Sequence, residues 1–430
     1  MKKLLFILYA GIIAFSGCSD KVSDTVTYMI NEPIFMSADV FRESVSLTKS
    51  QTISNYGKMC FYEGYIFISE TGKGIHIINN TDPSHPQNTS FIELMGNADL
   101  AIRNGKLYAD SYIDLVWFNI SNPNKPKLEG RLENVFPDAL PAIENEYGYD
   151  YGMCYGSPSN DKGVIVGWKL EKRTESYYYE TGGWWGKESG NNLAFYNSPS
   201  LSDANGGSRS TSGVNGSMSR FALYKDYLYT VINDQMSIID LSKNKPVKAA
   251  ENIYIGWNVE TLFSYKDNMF MGTPTGMLIY SVADPLNPEF VRSMWHVFGC
   301  DPVVVENDIA YVTIHSGNAC GQTNNDLIIY DVSDVSDPRH IVTYAMTSPK
   351  GLGVDNGTLF LCDDGLKIFD AADPQTLIAN RLAHYSGMDG FDVIPFNHVL
   401  MMIANDGLYQ YDYKDLTKIR QLSKLPIVKE

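Results

Sequence analysis

The chain has 430 residues, and 34 Lys+Arg against 50 Asp+Glu give it a formal charge of −16. That length exceeds the about 250–300 residues that one core serves, so it calls for several domains or one repeated unit. A 44 % apolar content with 12 % aromatics excludes a disordered chain, and the acidic balance argues against nucleic acid or anionic lipid as the main partner. The abundance of Tyr (28) and Gly (35) at 20 % charge favours strands and turns over long helices.

At the N-terminus, Lys2 and Lys3 precede an apolar run from Leu4 to Phe15 that ends in Ser16, Gly17 and Cys18. A basic head, an apolar stretch and small residues form a secretory signal, and the stretch is shorter than the about 20 residues of a bilayer span. Phe15-Ser16-Gly17-Cys18 resembles the lipobox of bacterial lipoproteins, in which the Cys is lipidated after cleavage. The resemblance implies a signal peptide over residues 1–17 and an anchor at Cys18, so the chain would meet the membrane only through its lipid. Ser19-Asp20-Lys21 loosely resembles the acidic export tag of surface lipoproteins in Bacteroidetes-type bacteria. The expected location is the outer membrane, on the cell surface or the periplasmic face. Residues 18–52 are expected to hold the tether and one N-terminal strand, with Glu43–Lys49 completing the last unit of a closed ring.

From residue 53 onward the chain repeats itself. A strand-like run, an Asp or Asn, and then a turn carrying Asp-Pro or a degenerate form recur at Asn79, Asn119, Asp240, Ser281, Asp331, Asp370 and Asp412. Neighbouring copies lie roughly 40–50 residues apart, the length of one four-stranded propeller blade. Upstream of each copy a polar turn separates two further strands, as at Asn104-Gly105, a tight-hairpin dipeptide. The exception is the gap from Asn119 to Asp240, which holds a weaker copy beginning at Gly163 (GVIVGWKLEK). Counting that copy gives eight blades, the favoured number; seven follow if it is no blade, and nine would need two blades in the gap. Each Asp or Asn at the end of the third strand fits an Asx turn, its carboxylate or amide oxygen accepting from the backbone N–H two residues on. A calcium reading of Asp331, Asp334 and Asp337 lacks the glycine and terminal glutamate of a full loop, so no metal or other cofactor is expected.

The runs LIIYDVSDVSDP from Leu327, LKIFDAADP from Leu366 and LVWFNISNPNKP from Leu115 resemble the LVIVD repeat of bacterial β-propeller lipoproteins over roughly residues 53–425. The resemblance implies an all-β propeller on the cell envelope and little chemistry, since that family is largely uncharacterised. The copy at Gly163 departs from the pattern by lacking both the Asp and the Asp-Pro turn.

Two places are candidates for function. The first strand of each blade lines the central channel, and the aligned positions are Lys58, Asp99, Asp138, Arg220, Thr261, Asp301, Gly351 and Asp392, with Glu260 and Lys350 alongside. A ring of acidic groups broken by Lys58 and Arg220 reads as blade-fixing ion pairs or as a polar funnel for a ligand. The second place is an insertion at about 174–217, where Tyr177, Tyr178, Tyr179, Trp184 and Trp185 precede a Gly/Ser/Asn-rich stretch. Such clustered Tyr and Trp suit a glycan or a protein surface, pairing apolar faces with polar tips. Setting Cys18 aside, Cys300 and Cys320 are the candidate disulfide, and Cys60 and Cys362 read as buried thiols. No catalytic motif is present: the chain has no His-Glu-x-x-His, nucleophile elbow, Walker loop or Cys-x-x-Cys. The sequence therefore reads as a monomeric binding or scaffold module for a glycan or an envelope protein. A glycan-acting hydrolase or lyase working through Asp99, Asp301 and Asp392 is the alternative.

Overall fold

The structure, a computed structural model, describes residues 21–154, 162–180, 202–203, 214–232, 234–256, 259–273, 276–295, 302–316 and 324–428. The chain divides into two compact units. In the larger one, the described residues form seven four-stranded antiparallel blades. Their innermost strands are Tyr56–Tyr62, Leu100–Arg103, Phe221–Tyr224, Thr261–Tyr265, Val303–Glu306, Leu352–Asp355 and Gly390–Phe396. This is an all-β propeller, and the seven blades begin at the seven clear repeats and not at eight. The strand Val164–Glu180 that carries the eighth copy pairs with Lys21–Met36 in a two-stranded sheet instead. Its sequence explains this: the Asx residue and the Asp-Pro turn that bring a fourth strand back in the other copies are missing from it.

Those Asx turns form in six blades, and a serine makes the equivalent turn in the fourth. Asn79, Asn119, Asp240, Asp331, Asp370 and Asp412 each accept from the backbone N–H two residues on, at 2.8–3.1 Å; Ser281 does so at 3.4 Å. The second acid of the motif repeats the device, with Asp334 Oδ1 accepting from Ser336 N at 3.0 Å. Hydrogen bonds from the hydroxyls of Ser333 and Ser336, and from their N–H groups, hold the carboxyls of Asp331 and Asp334 below the usual range, so these two acids are spent on the turn itself. The hairpin at Asn104-Gly105 has both residues at positive φ, 51° and 69°, as a two-residue primed turn needs.

Burial follows strand position. The two middle strands, such as Tyr65–Glu70 and Gly74–Asn79, are buried almost throughout, because each blade is covered on both faces by its neighbours. Outer strands such as Val247–Tyr254 alternate towards solvent. Blade-to-blade packing puts Phe67 and Ile77 against Leu100, Leu107 and Val116 in one cluster. A bulge interrupts the pairing of the third and fourth strands in every blade, adding twist to the outer edge.

Ring closure differs from expectation. Ser46–Lys49 pairs with Gln87–Glu93 and adds an outer strand to the first blade rather than completing the last. The last blade takes all four strands from the C-terminal end, so the ring closes by side-chain packing and by a few polar ties. The buried amides of Asn80 and Gln410 bond each other in both directions, at 2.9 and 2.6 Å, and Val428 N donates to Ile53 O at 3.0 Å.

On the face carrying the first hairpin turns, a polar relay joins neighbouring blades. The last residue of each innermost strand reaches the next blade. The Tyr62 hydroxyl accepts from Gly105 N (3.0 Å), Arg103 donates to Asp226 (3.1 Å), and the Tyr224 hydroxyl bonds Asp267. Tyr265 accepts from Asp308 N (3.0 Å), Glu306 from Asn356 N and Gly357 N (2.9 and 2.7 Å), and Asp355 from the Tyr413 hydroxyl (2.8 Å). At the seventh junction, where the last blade meets the first, the corresponding residue is Phe396.

Among the described residues the smaller unit comprises 21–34, 143–154 and 168–180. In it the amides of Asn31 and Asn145 bond reciprocally at 3.0 Å, and Tyr149 packs on Trp168 with ring centroids 4.9 Å apart. Among the described residues no helix is long and apolar enough to cross a membrane.

Candidate functional site

The channel is occupied by the chain itself. Val214 and Asn215 pair antiparallel with Phe61 and Cys60 on the inner side of the first blade, and Ser217 and Met218 pair in turn with Asp203 and Ser202. Residues 215–220 then bond five of the seven innermost strands or the residues just before them. Gly216 N donates to Met59 O (3.0 Å), Asn215 Nδ2 to Leu100 O (3.2 Å), and Leu262 N to Ser219 O (3.3 Å). Leu352 N donates to the Ser217 hydroxyl.

The predicted channel carboxylates serve this segment. Asp392 Oδ1 accepts from Ser217 N (2.7 Å) and Val393 N (2.9 Å). Asp99 Oδ1 accepts from the Ser219 hydroxyl (2.5 Å) and Leu100 N (2.8 Å), and its Oδ2 accepts from Arg220 N. Both acids are buried, as is Lys58. Lys58 attracts the charged form of each carboxylate, yet desolvation wins: the Asp99 carboxyl is pushed up and that of Asp392 reaches about 7. The approach is close enough to require glycine. A Cβ on Gly216 would lie 2.1 Å from Asp392 Oδ2, and one on Gly351 2.5 Å from Asp392 Oδ1.

Arg220 places its guanidinium 3.9 Å from Asp110 Oδ2. Asp110, absent from the sequence-based ring, holds the backbone beside Asp99 by accepting from Ala98 N (2.7 Å) and Asp99 N (2.9 Å). Burial raises its carboxyl to about 6 against the pull of Arg220. It closes a second strand and not a first, so alignment of first strands passes over it. Ser217 and Ser219 escape notice for another reason: they sit in a Gly/Ser-rich stretch with no strand pattern.

The remaining predicted positions divide. Thr261 is buried and its hydroxyl accepts from Gly272 N at 2.7 Å; Lys350 pairs with Asp389 at 2.5 Å. Asp138 is exposed in the connection after the second blade and does not belong to the ring; the copy that would have placed it there builds no blade. Asp301, Cys300, Cys320, Trp184, Trp185 and Cys18 lie outside the described residues. Tyr177, Tyr178 and Tyr179 fall at the end of the strand Val164–Glu180. Cys60 and Cys362 are buried free thiols. With backbone donors on Asp99 and Asp392 and a glycine Cα against the remaining oxygen, this centre ties blades together.

Residues 303–346 match the LVIVD repeat family, and that span coincides with the fifth blade, Val303–Ala345. No functionally curated protein matches the sequence. Among solved structures, a protein from Lactobacillus plantarum is similar with a TM-score of 0.53 at 11 % identity, over 87 % of this chain and 97 % of that one. A periplasmic gluconolactonase from Pseudomonas aeruginosa is similar with a TM-score of 0.51 at 9 % identity, over 89 % and 97 %. At such identities the likeness is one of fold. The chain is a β-propeller whose fifth blade carries the LVIVD repeat.

Proposed function

We propose that the protein is a cell-envelope binding or scaffold module, lipid-anchored through Cys18 in the outer membrane, whose ligand is a glycan or an envelope protein. The observation that carries this reading is the occupied channel. A hydrolase or lyase needs carboxylates facing a substrate space, whereas Asp99 and Asp392 face the chain's own backbone. Binding is then the work of the surface, with Tyr177, Tyr178, Tyr179, Trp184 and Trp185 as its aromatic contacts, suited to stacking on sugar rings or to a protein hot spot. A panel of soluble polysaccharides and purified envelope proteins, titrated against the full chain, tests this. Double replacement Trp184→Ala and Trp185→Ala is expected to weaken the ligand found by about 100-fold or more. Unchanged affinity, or turnover of a polysaccharide that Asp392→Asn abolishes, would contradict it.

A further inference from the structure

The polar relay that links six blade junctions is broken at the seventh. There Phe396 ends the innermost strand of the last blade and faces the Glu63-Gly64 turn of the first. A phenyl ring has no group to bond that turn. Neither Glu63 N–H nor Gly64 N–H has a partner among the described residues, although the corresponding Gly105, Asp308 and Gly357 N–H groups each donate to the preceding blade. Phe396 is 42 % exposed, and its ring lies 5.1 Å from that of Phe61. Beside them opens a cavity of about 520 Å³, lined by apolar side chains such as Phe61, Val214, Phe396, Val399 and Met401 together with the Glu63-Gly64 turn, Asn80, Thr81 and Asn397. That volume lies within the range of ligand sites, as does a mainly apolar lining with a few polar groups.

From this geometry we infer that the seam between the last and first blades is a peptide-binding site that takes a tyrosyl side chain. The other junctions define what is missing here. Twice, at Tyr62 and at Tyr265, a phenol hydroxyl supplies the acceptor for the N–H of the next turn. A tyrosine ring from a partner, packed on Phe61 and Phe396, brings the same hydroxyl to the Glu63-Gly64 turn. Charge agrees with a neutral hydroxyl: Glu63 lines the cavity and no basic residue does, so a carboxylate ligand would meet repulsion. The cavity is larger than one ring, leaving room for the residues that flank the tyrosine. This proposal does not rest on the aromatic contacts at Tyr177–Trp185, and the variants below leave those residues intact, so either proposal can fail without the other.

The test titrates the full chain with the tripeptide Gly-Tyr-Gly, with Gly-Phe-Gly and with p-cresol, by calorimetry. The tyrosine peptide is expected to bind saturably and about fivefold more tightly than the phenylalanine peptide, the worth of one hydrogen bond. It should also bind more tightly than p-cresol. Phe396→Tyr installs the missing hydroxyl from within, and is expected to weaken the peptide about tenfold or more while melting no lower than the parent. Val399→Trp fills the cavity from its other wall and should have the same effect, which covers the case of a Phe396 variant that fails to fold. No saturable binding, equal affinity for both peptides, binding of p-cresol as tight as of the peptide, or unchanged affinity in a folded Phe396→Tyr or Val399→Trp chain would each overturn the proposal.

Discussion

Asp392 shows how burial raises a carboxyl's hold on its proton even where backbone donors surround it. Its carboxyl titrates near 7 because burial disfavours the charge more than Lys58, Ser217 N and Val393 N favour it. The sign of its effect on stability follows. An acid whose pKa is raised on folding makes the folded state the tighter proton binder between its ordinary value of 3.8 and about 7. Stability is therefore lost as pH rises through that window, and Asp110, raised to about 6, works in the same direction. Glu70, lowered to about 2 by His76, Ser54 and Asn55, acts only at more acid pH. The melting temperature is expected to be higher at pH 5 than at pH 8, and Asp392→Asn should reduce that difference by raising the pH 8 value. A wild-type melting temperature that climbs steadily from pH 5 to 8 would refute this. Alignment of first strands places Asp99 and Asp392 at equivalent positions, but nothing in the sequence identifies their partners. Ser217 and Ser219 carry no signal until the fold brings them within 3 Å of the two acids.

At the scale of elements, the six Asx turns and the serine turn at Ser281 were legible because such a turn is local: Asp331 meets Ser333 two residues on, whatever the tertiary fold. The eight-blade count failed at the copy from Gly163, which has strand-like residues and no local means of turning back. Periodicity alone cannot distinguish such a strand from a blade. The channel segment is the element least visible beforehand, being polar, short and glycine-rich, and it is also the most constrained. Gly216→Ala drives a methyl group into Asp392 Oδ2, and is expected to cost about 1–3 kcal/mol. For a chain of this size that lowers the melting temperature by roughly 1 °C per kcal/mol, because the entropy of unfolding grows with length. A Gly216→Ala chain as stable as the parent would mean that Gly216 does not pack against Asp392.

For the whole molecule, seven sheets that cannot bury both faces alone are each covered by the next, and closure removes the need for end caps. The relay of Tyr62, Arg103, Tyr224, Tyr265, Glu306 and Asp355 was written in the sequence, one residue before each hairpin turn. It acquires meaning only when ring order sets every blade against its successor, and the same order exposes the break at Phe396. The account rests most heavily on the claim that residues 214–220 fill the channel as part of the folded propeller. Amide hydrogen exchange of the native chain measures that directly. The amides of Gly216, Ser217 and Arg220 are expected to be protected as strongly as those of the innermost strands around Leu100 and Val393, and to open only with the ring. Exchange of these three at the rate of an open loop, with the blades still protected, would contradict it.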